Sequence, residues 1–258
     1  MTSTRSLSIV LTSIALLAWA APAGSAGGED RELLVAAAVS LRDPLVAIAR
    51  GFEAANRDAR VFTTFGASSV MAAQLRVGAP VDVFISANRR IVDDLAARAQ
   101  IDTATRFALV RNRLVPLVAM EVKGSIVGPE DLLGPEIRSL AVPEPAVPLG
   151  AYVREWLHSQ GLLAAVDARI IPTQHARATL AAVESGDVDV AIVYATDARI
   201  ARQSRAAWVI PDSEQPDIAY EAARVTDTRH PELAAEFLAY LRGDASLATL
   251  RAAGFALP

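Results

Sequence analysis

The chain has no cysteine and a single lysine, Lys123, against 24 arginines. Without cysteine there is no disulfide, no thiol nucleophile, no thiolate metal site and no lipid-bearing N-terminal cysteine. The shortage of lysine is a compositional bias to which no function attaches. Histidine is scarce too. His158, His175 and His230 are scattered, none sits in a motif, and no His, Asp and Glu spacing suggests a metal site. Beyond the N-terminus no run is long and apolar enough to span a bilayer. Basic stripes interleaved with aromatics are also missing, so nothing points to a nucleic-acid partner.

What is present is a globular composition. Of 258 residues, 52% are hydrophobic and 21% charged, enough for one or two domains with a real core. At the start, Arg5 precedes an apolar run from Leu7 to Ala20, and small residues follow in APAGSAGG. This is the pattern of a cleaved secretory signal, and the run is short for an anchor and breaks at Pro22. Residues 1–26 are read as the signal peptide, with Ala26 the preferred last residue removed and Ala23 the alternative. The mature chain then carries 24 basic against 29 acidic residues. An anion bound to such a chain must be held by local dipoles, since the molecule as a whole does not attract it.

Short apolar runs alternate with amphipathic ones. LLVAAAV (33–39), VFTTF (61–65), VDVFIS (81–86), RLVPLVAM (113–120), the start of SLAVPEP (139–145), ARIIP (168–172) and VDVAIVYA (188–195) read as strands. Between them, segments such as 41–55, with Leu45, Ile48, Ala49 and Phe52 at helical spacing, read as helices. The ending PELAAEFLAYLRG places Pro231 at a first helical position. Such alternation predicts an α/β fold with largely parallel sheets, whose ligands sit at the carboxyl ends of strands against helix starts. The length suits two lobes.

Four strand-to-helix handovers are unusually bare. Ser40 follows the first strand, with Asp43 three residues on, as in a capping box. GASS (66–69) follows the second. AVPLGAY, with Gly150 at the turn, follows AVPEP, and TQHARATL follows IIP. None puts a lysine in the first turn. Each offers free N–H donors and about half a positive charge. Converging, they would make a cage of neutral donors for an anion; acting singly, their Ser and Gly residues simply start helices.

AAAVSLRDPL, FGASSVMAAQL, GAPVDVFISA, AVPEPAVPLGAY and VDVAIVYATDA, in this order and spacing, resemble the periplasmic molybdate-binding proteins of ABC uptake transporters, from about residue 33 to the C-terminus. The resemblance implies a two-lobed, hinged α/β fold, each lobe a largely parallel sheet flanked by helices. Lobe I is expected over 27–111 plus 220–258, and lobe II over 112–219, with approximate boundaries. It implies an oxyanion, molybdate or tungstate, held by two serine hydroxyls, a tyrosine hydroxyl and backbone N–H groups. Those roles fall on Ser40, on Ser68 or its neighbour Ser69, on Tyr194, and on the backbone of Leu149 and Ala176. Leu149 stands where the family more often has alanine. Molybdenum would be present only inside the oxyanion, with no protein side chain on the metal and no cofactor. The implied partners are the permease and ATPase subunits of an ABC transporter. The implied state is a monomer, exported to the periplasm.

Two rival readings stand beside this one. GASS partly resembles a nucleophile elbow of a secreted hydrolase, but residue 70 is Val where that motif needs Gly, and the expectation is a protein that is not an enzyme. Sulfate, another tetrahedral dianion, or a small carboxylate is the alternative ligand.

Overall fold

A computed structural model describes residues 31–258; the expected signal segment lies outside the described residues. The chain runs β1 (Arg31–Ala38), α1 (Arg42–Ala55), β2 (Ala59–Gly66), α2 (Ser68–Arg76), β3 (Val83–Ser86), α3 (Arg89–Ala97) and β4 (Phe107–Arg111). It continues through β5 (Leu114–Ala119), β6 (Leu140–Pro143), α4 (Pro148–Ser159), α5 (Leu163–Val166), β7 (Ile170–Thr173), α6 (Ala176–Glu184), β8 (Val190–Tyr194), α7 (Ala195–Ala198) and β9 (Ser204–Ala206). It ends with β10 (Ala219–Arg224), α8 (Pro231–Leu241) and α9 (Asp244–Ala252).

Two five-stranded sheets result, in the orders β2-β1-β3-β10-β4 and β7-β6-β8-β5-β9. In each, four strands share a direction and one is reversed. The reversed strands are β10, antiparallel to β3 and β4, and β5, antiparallel to β8 and β9. Both follow directly on a passage from one sheet to the other. They are therefore not held parallel by a crossover helix, as strands in a βαβ unit are. The expected largely parallel α/β architecture holds, with this exception in each sheet.

The core explains the helix faces. Leu45, Ile48, Ala49 and Phe52 of α1 are buried, as their spacing predicts. Phe52 meets Phe237 and Tyr240 of α8 edge-on, with ring centroids 5.3 and 5.5 Å apart, the arrangement that the aromatic quadrupole favours. Pro231 opens α8 at its first position. The chain crosses between the sheets at residues 112–113 and again at 207–218. There Asn112 N–H donates to the Ile218 carbonyl at 3.1 Å, and the Gln215 side chain bonds the Leu114 backbone through both its oxygen and its nitrogen.

Register decides where the site falls. Ala38 lies opposite Gly66 at the carboxyl ends of paired β1 and β2. Pro143 lies opposite Thr173 at the ends of β6 and β7. The residues after these ends are the bare handovers noted in the sequence.

Candidate oxyanion site

The handovers converge. A small cavity is walled on the first sheet's side by Ala38, Val39, Ser40, Gly66, Ala67, Ser68 and Ala87. Val147, Pro148, Leu149, Ala176 and Tyr194 close it from the second sheet's side. All five sequence-predicted residues (Ser40, Ser68, Leu149, Ala176 and Tyr194) line it, and all are buried. Ser69, the other serine of GASS, is only half-buried and lines a different groove. A wider groove beside Glu32, Phe62, Pro80 and Arg229 lies at the opposite, amino end of β1 and touches none of these residues.

Outside α6, the helix starts at this cavity lack side-chain caps. Ala67, the residue before α2, and Val147, before α4, make none. Ser40 was a candidate cap with Asp43, but it sits inside a 3-10 turn, Val39–Leu41, and α1 begins at Arg42 without a side-chain cap. Its oxygen is hydrogen-bonded instead to the Tyr220 hydroxyl, 2.8 Å away. The first helical N–H groups have no acceptor within their own helix; these are Ser68 and Ser69 in α2 and Leu149 and Gly150 in α4, where Pro148 has no N–H to offer. In α6, His175 is the cap, its Nδ1 accepting from Ala178 N–H at 3.0 Å. Thr173 ends β7, and His175 sits at the helix start as its cap, a role that the sequence motif did not mark. The cap leaves the N–H groups of Ala176 and Arg177 to the cavity side of the helix start.

Each hydroxyl is set differently. Ser68 Oγ accepts from Ala87 N–H at 3.0 Å, so its own proton is left to donate. Tyr194 is 2% exposed, and its hydroxyl makes no hydrogen bond of proper geometry although the Tyr220 hydroxyl lies near it. Burial, with the nearby Tyr220 and Tyr152 hydroxyls behind it, raises its pKa well above the usual tyrosine value. It therefore remains a neutral O–H donor at physiological pH. Gly150 is required by close packing: a Cβ there would come 2.3 Å from the Glu144 carbonyl oxygen and 2.4 Å from that of Pro143.

No charged residue is among the cavity's walls. The nearest cation in sequence, Arg177, turns its guanidinium to Asp43 at 2.8 Å and Asp197 at 2.9 Å. Its charge is thereby matched by two carboxylates. The chemistry on offer is a desolvated set of neutral donors, suited to a small anion without protons of its own, because hydrogen bonds to an ionised acceptor are roughly twice as strong as neutral ones. Among the described residues no group of three His, Cys, Asp or Glu could hold a metal ion, and no helix is long and apolar enough to cross a membrane.

Sequence reasoning did not single out Ala87, or the Asn112 and Tyr220 pair behind Ser40. Asn112 Nδ2 donates to Tyr220 Oη at 3.3 Å and to Thr196 Oγ1 at 3.0 Å. Tyr220 lies in β10, a strand that the apolar pattern does not reveal.

Comparison with known proteins agrees with this geometry. The model of the family described as bacterial extracellular solute-binding protein matches residues 33–256. The molybdate-binding protein ModA of Escherichia coli (strain K12) is 30% identical over 243 residues, 92% of this chain and 93% of that protein. A putative ABC transporter substrate-binding lipoprotein, YvgL of Bacillus subtilis (strain 168), is 30% identical over 86% of this chain and 85% of its own. Among solved structures, the periplasmic molybdate-binding protein of Azotobacter vinelandii superposes with a TM-score of 0.77 at 25% identity, covering 88% of this chain and 99% of that one. The sulfate-binding protein SubI of Mycobacterium tuberculosis H37Rv reaches 0.74 at 19% identity, covering 87% of this chain and 86% of its own, a likeness of fold. Members of the matched family are transport components and not enzymes. The chain belongs to the bacterial extracellular solute-binding proteins.

Proposed function

We propose that this chain binds molybdate, and tungstate with it, and delivers the anion to the membrane permease of an ABC importer. The observation that carries the reading is the Tyr194 hydroxyl. It is buried without a partner beside two serine hydroxyls, in a small cavity whose walls come from both sheets and carry no charge. A buried donor left unmade costs free energy, on the order of 1–3 kcal/mol, and a tetrahedral dianion in this cavity would satisfy it. Ser40, Ser68 and Tyr194 would give hydroxyl bonds, and Leu149 and Ala176 backbone bonds. The relatives named for molybdate support the choice of anion.

In this reading the two sheets are the cores of two lobes, residues 27–111 with 220–258 and residues 112–219. The passages at 112–113 and 207–218 act as the hinge. Ligand contacts from both lobes shift the population toward the closed form, which the permease recognises. The protein would act as a monomer in the periplasm after loss of residues 1–26.

The test is thermal unfolding of residues 27–258 with molybdate, tungstate, sulfate, phosphate and no addition. At ligand near a thousand times Kd, linkage gives ~4 kcal/mol of stabilisation, a rise of roughly 8–16 °C for a chain of this size. A rise with molybdate and tungstate and little with sulfate is expected. A rise with sulfate alone keeps the site and changes the cargo, and no rise with any oxyanion overturns the proposal.

A further inference from the structure

Behind the cavity, Ser40 Oγ is 2.8 Å from Tyr220 Oη, and Tyr220 Oη is 3.3 Å from Asn112 Nδ2. All three residues are buried. The direction of these bonds can be deduced. Asn112 Oδ1 accepts from Arg113 N–H at 2.9 Å, which fixes the carboxamide with its NH₂ toward Tyr220. An amide NH₂ can only donate, so the Tyr220 oxygen is an acceptor from Asn112. Its own proton must then go elsewhere, and the remaining hydrogen-bond partner of that oxygen is Ser40. Were Ser40 to donate to Tyr220, the phenolic proton would be left without an acceptor at hydrogen-bond geometry, since the Tyr194 hydroxyl nearby makes no such bond. Tyr220 therefore donates to Ser40, and the Ser40 proton is left pointing away from the tyrosine.

We propose that Asn112 and Tyr220 are positioning residues that polarise Ser40, forcing its hydroxyl to act as a donor to the anion in the cavity. The inference rests on the reading of Ser40 as an oxyanion ligand. It gives the hinge a part in affinity, because Asn112 lies in the passage between the sheets and its NH₂ also holds Thr196, two residues after Tyr194. Neither Asn112 nor Tyr220 lines the cavity, so each acts through another residue.

Asn112→Asp tests the polarity. The carboxylate keeps the bond from Arg113 N–H, and accepts from both Thr196 and Tyr220. The tyrosine proton is drawn to the aspartate, the Ser40 proton is drawn to the tyrosine oxygen, and the anion meets lone pairs. Molybdate affinity of the full mature chain, measured by titration calorimetry, should fall ~10–100-fold, the worth of one hydrogen bond to a charged group. The isosteric Tyr220→Phe, which only removes the orienting bond, should lose about fivefold. Both variants are then repeated in a Ser40→Ala background, where each should change affinity by less than about threefold, since coupled residues are not additive. Full multiplicative losses in that background would overturn the relay, as they would show charge repulsion or misfolding acting without Ser40. No loss in either single variant would overturn it too. If Ser40→Ala alone binds molybdate as tightly as the wild type, the site reading fails and the relay falls with it. Normal loss in Ser40→Ala with additive second losses leaves the site standing and removes only the relay.

Discussion

The Tyr194 hydroxyl is the residue whose arrangement makes least sense for stability alone. A phenol that is buried and unpartnered should be replaceable without harm to the ligand-free fold, because removing an unsatisfied buried group is neutral or favourable. Tyr194→Phe is therefore expected to unfold at the same temperature as the wild type or higher without ligand, while the molybdate-induced rise shrinks. A lower ligand-free midpoint would mean that the hydroxyl has a structural partner. Ser68 makes the contrasting case. Its Oγ satisfies the buried Ala87 N–H, so Ser68→Ala should lose both molybdate affinity and about 1–3 kcal/mol of ligand-free stability. Ser69→Ala should do neither. The sequence raised both serines and could not separate them; they differ in burial and in one backbone partner, and neither difference is visible in GASS.

At the scale of elements, the helix starts were legible and their neighbours were not. Strands β1, β2, β3, β6 and β8 are apolar runs, and α1 and α8 begin within one residue of where the pattern places them. Strand β10 escaped because its sequence, AYEAAR, has glutamate in the middle. Glu221 is nonetheless buried, with Arg89 Nε 3.0 Å and Arg106 Nε 2.7 Å from its carboxylate. A charge matched by arginines more than a hundred residues away cannot be recognised from a local window. With β10 hidden, Tyr220 and its contacts with Ser40 and Asn112 were hidden as well. The start of α4 gives a prediction at this scale. Because a Cβ on Gly150 would meet two backbone carbonyls, Gly150→Ala cannot be absorbed by a side-chain rotation. The helix start must shift, at a cost of about 1–3 kcal/mol or more, and Leu149 N–H shifts with it. Chemical denaturation should show the loss of stability, and calorimetry a weaker molybdate affinity. An unchanged affinity would mean that the α4 backbone is not a ligand.

Across the whole molecule, ion pairs of Arg177 link helices that pack on the two different sheets. Arg177, at the start of α6, reaches Asp43 on α1 and Asp197 on α7. The first pair is partly exposed, and such pairs contribute about 0–1 kcal/mol, so Asp43→Asn should change molybdate affinity by no more than about fivefold. Asp197 is different. It is 0% exposed and neither carboxylate oxygen has a hydrogen bond. Burial raises its pKa to about 6, against the pull of Arg177 and with a small push from Asp43. The sign of the pH effect follows. Between the ordinary carboxylate range and about pH 6 the folded chain holds a proton that the unfolded chain has lost, so this residue makes the fold more stable as pH falls through 6. The gain levels off near pH 4 and is on the order of 2–3 kcal/mol. Asp189 works in the opposite direction. Burial acts to raise its pKa, but bonds from the Arg138 and Ser139 backbone and the Ser139 hydroxyl outweigh it and hold it low, so its contribution is lost in acid. A single stability curve mixes these effects, whereas the difference between wild type and Asp197→Asn isolates one of them. Measured by urea unfolding from pH 7.5 down to about 4.5, that difference should move steadily in favour of the wild type. A difference that is flat, or that moves toward the variant, would show that Arg177 keeps Asp197 ionised and that the bridge is a firm ion pair between the sheets' helices.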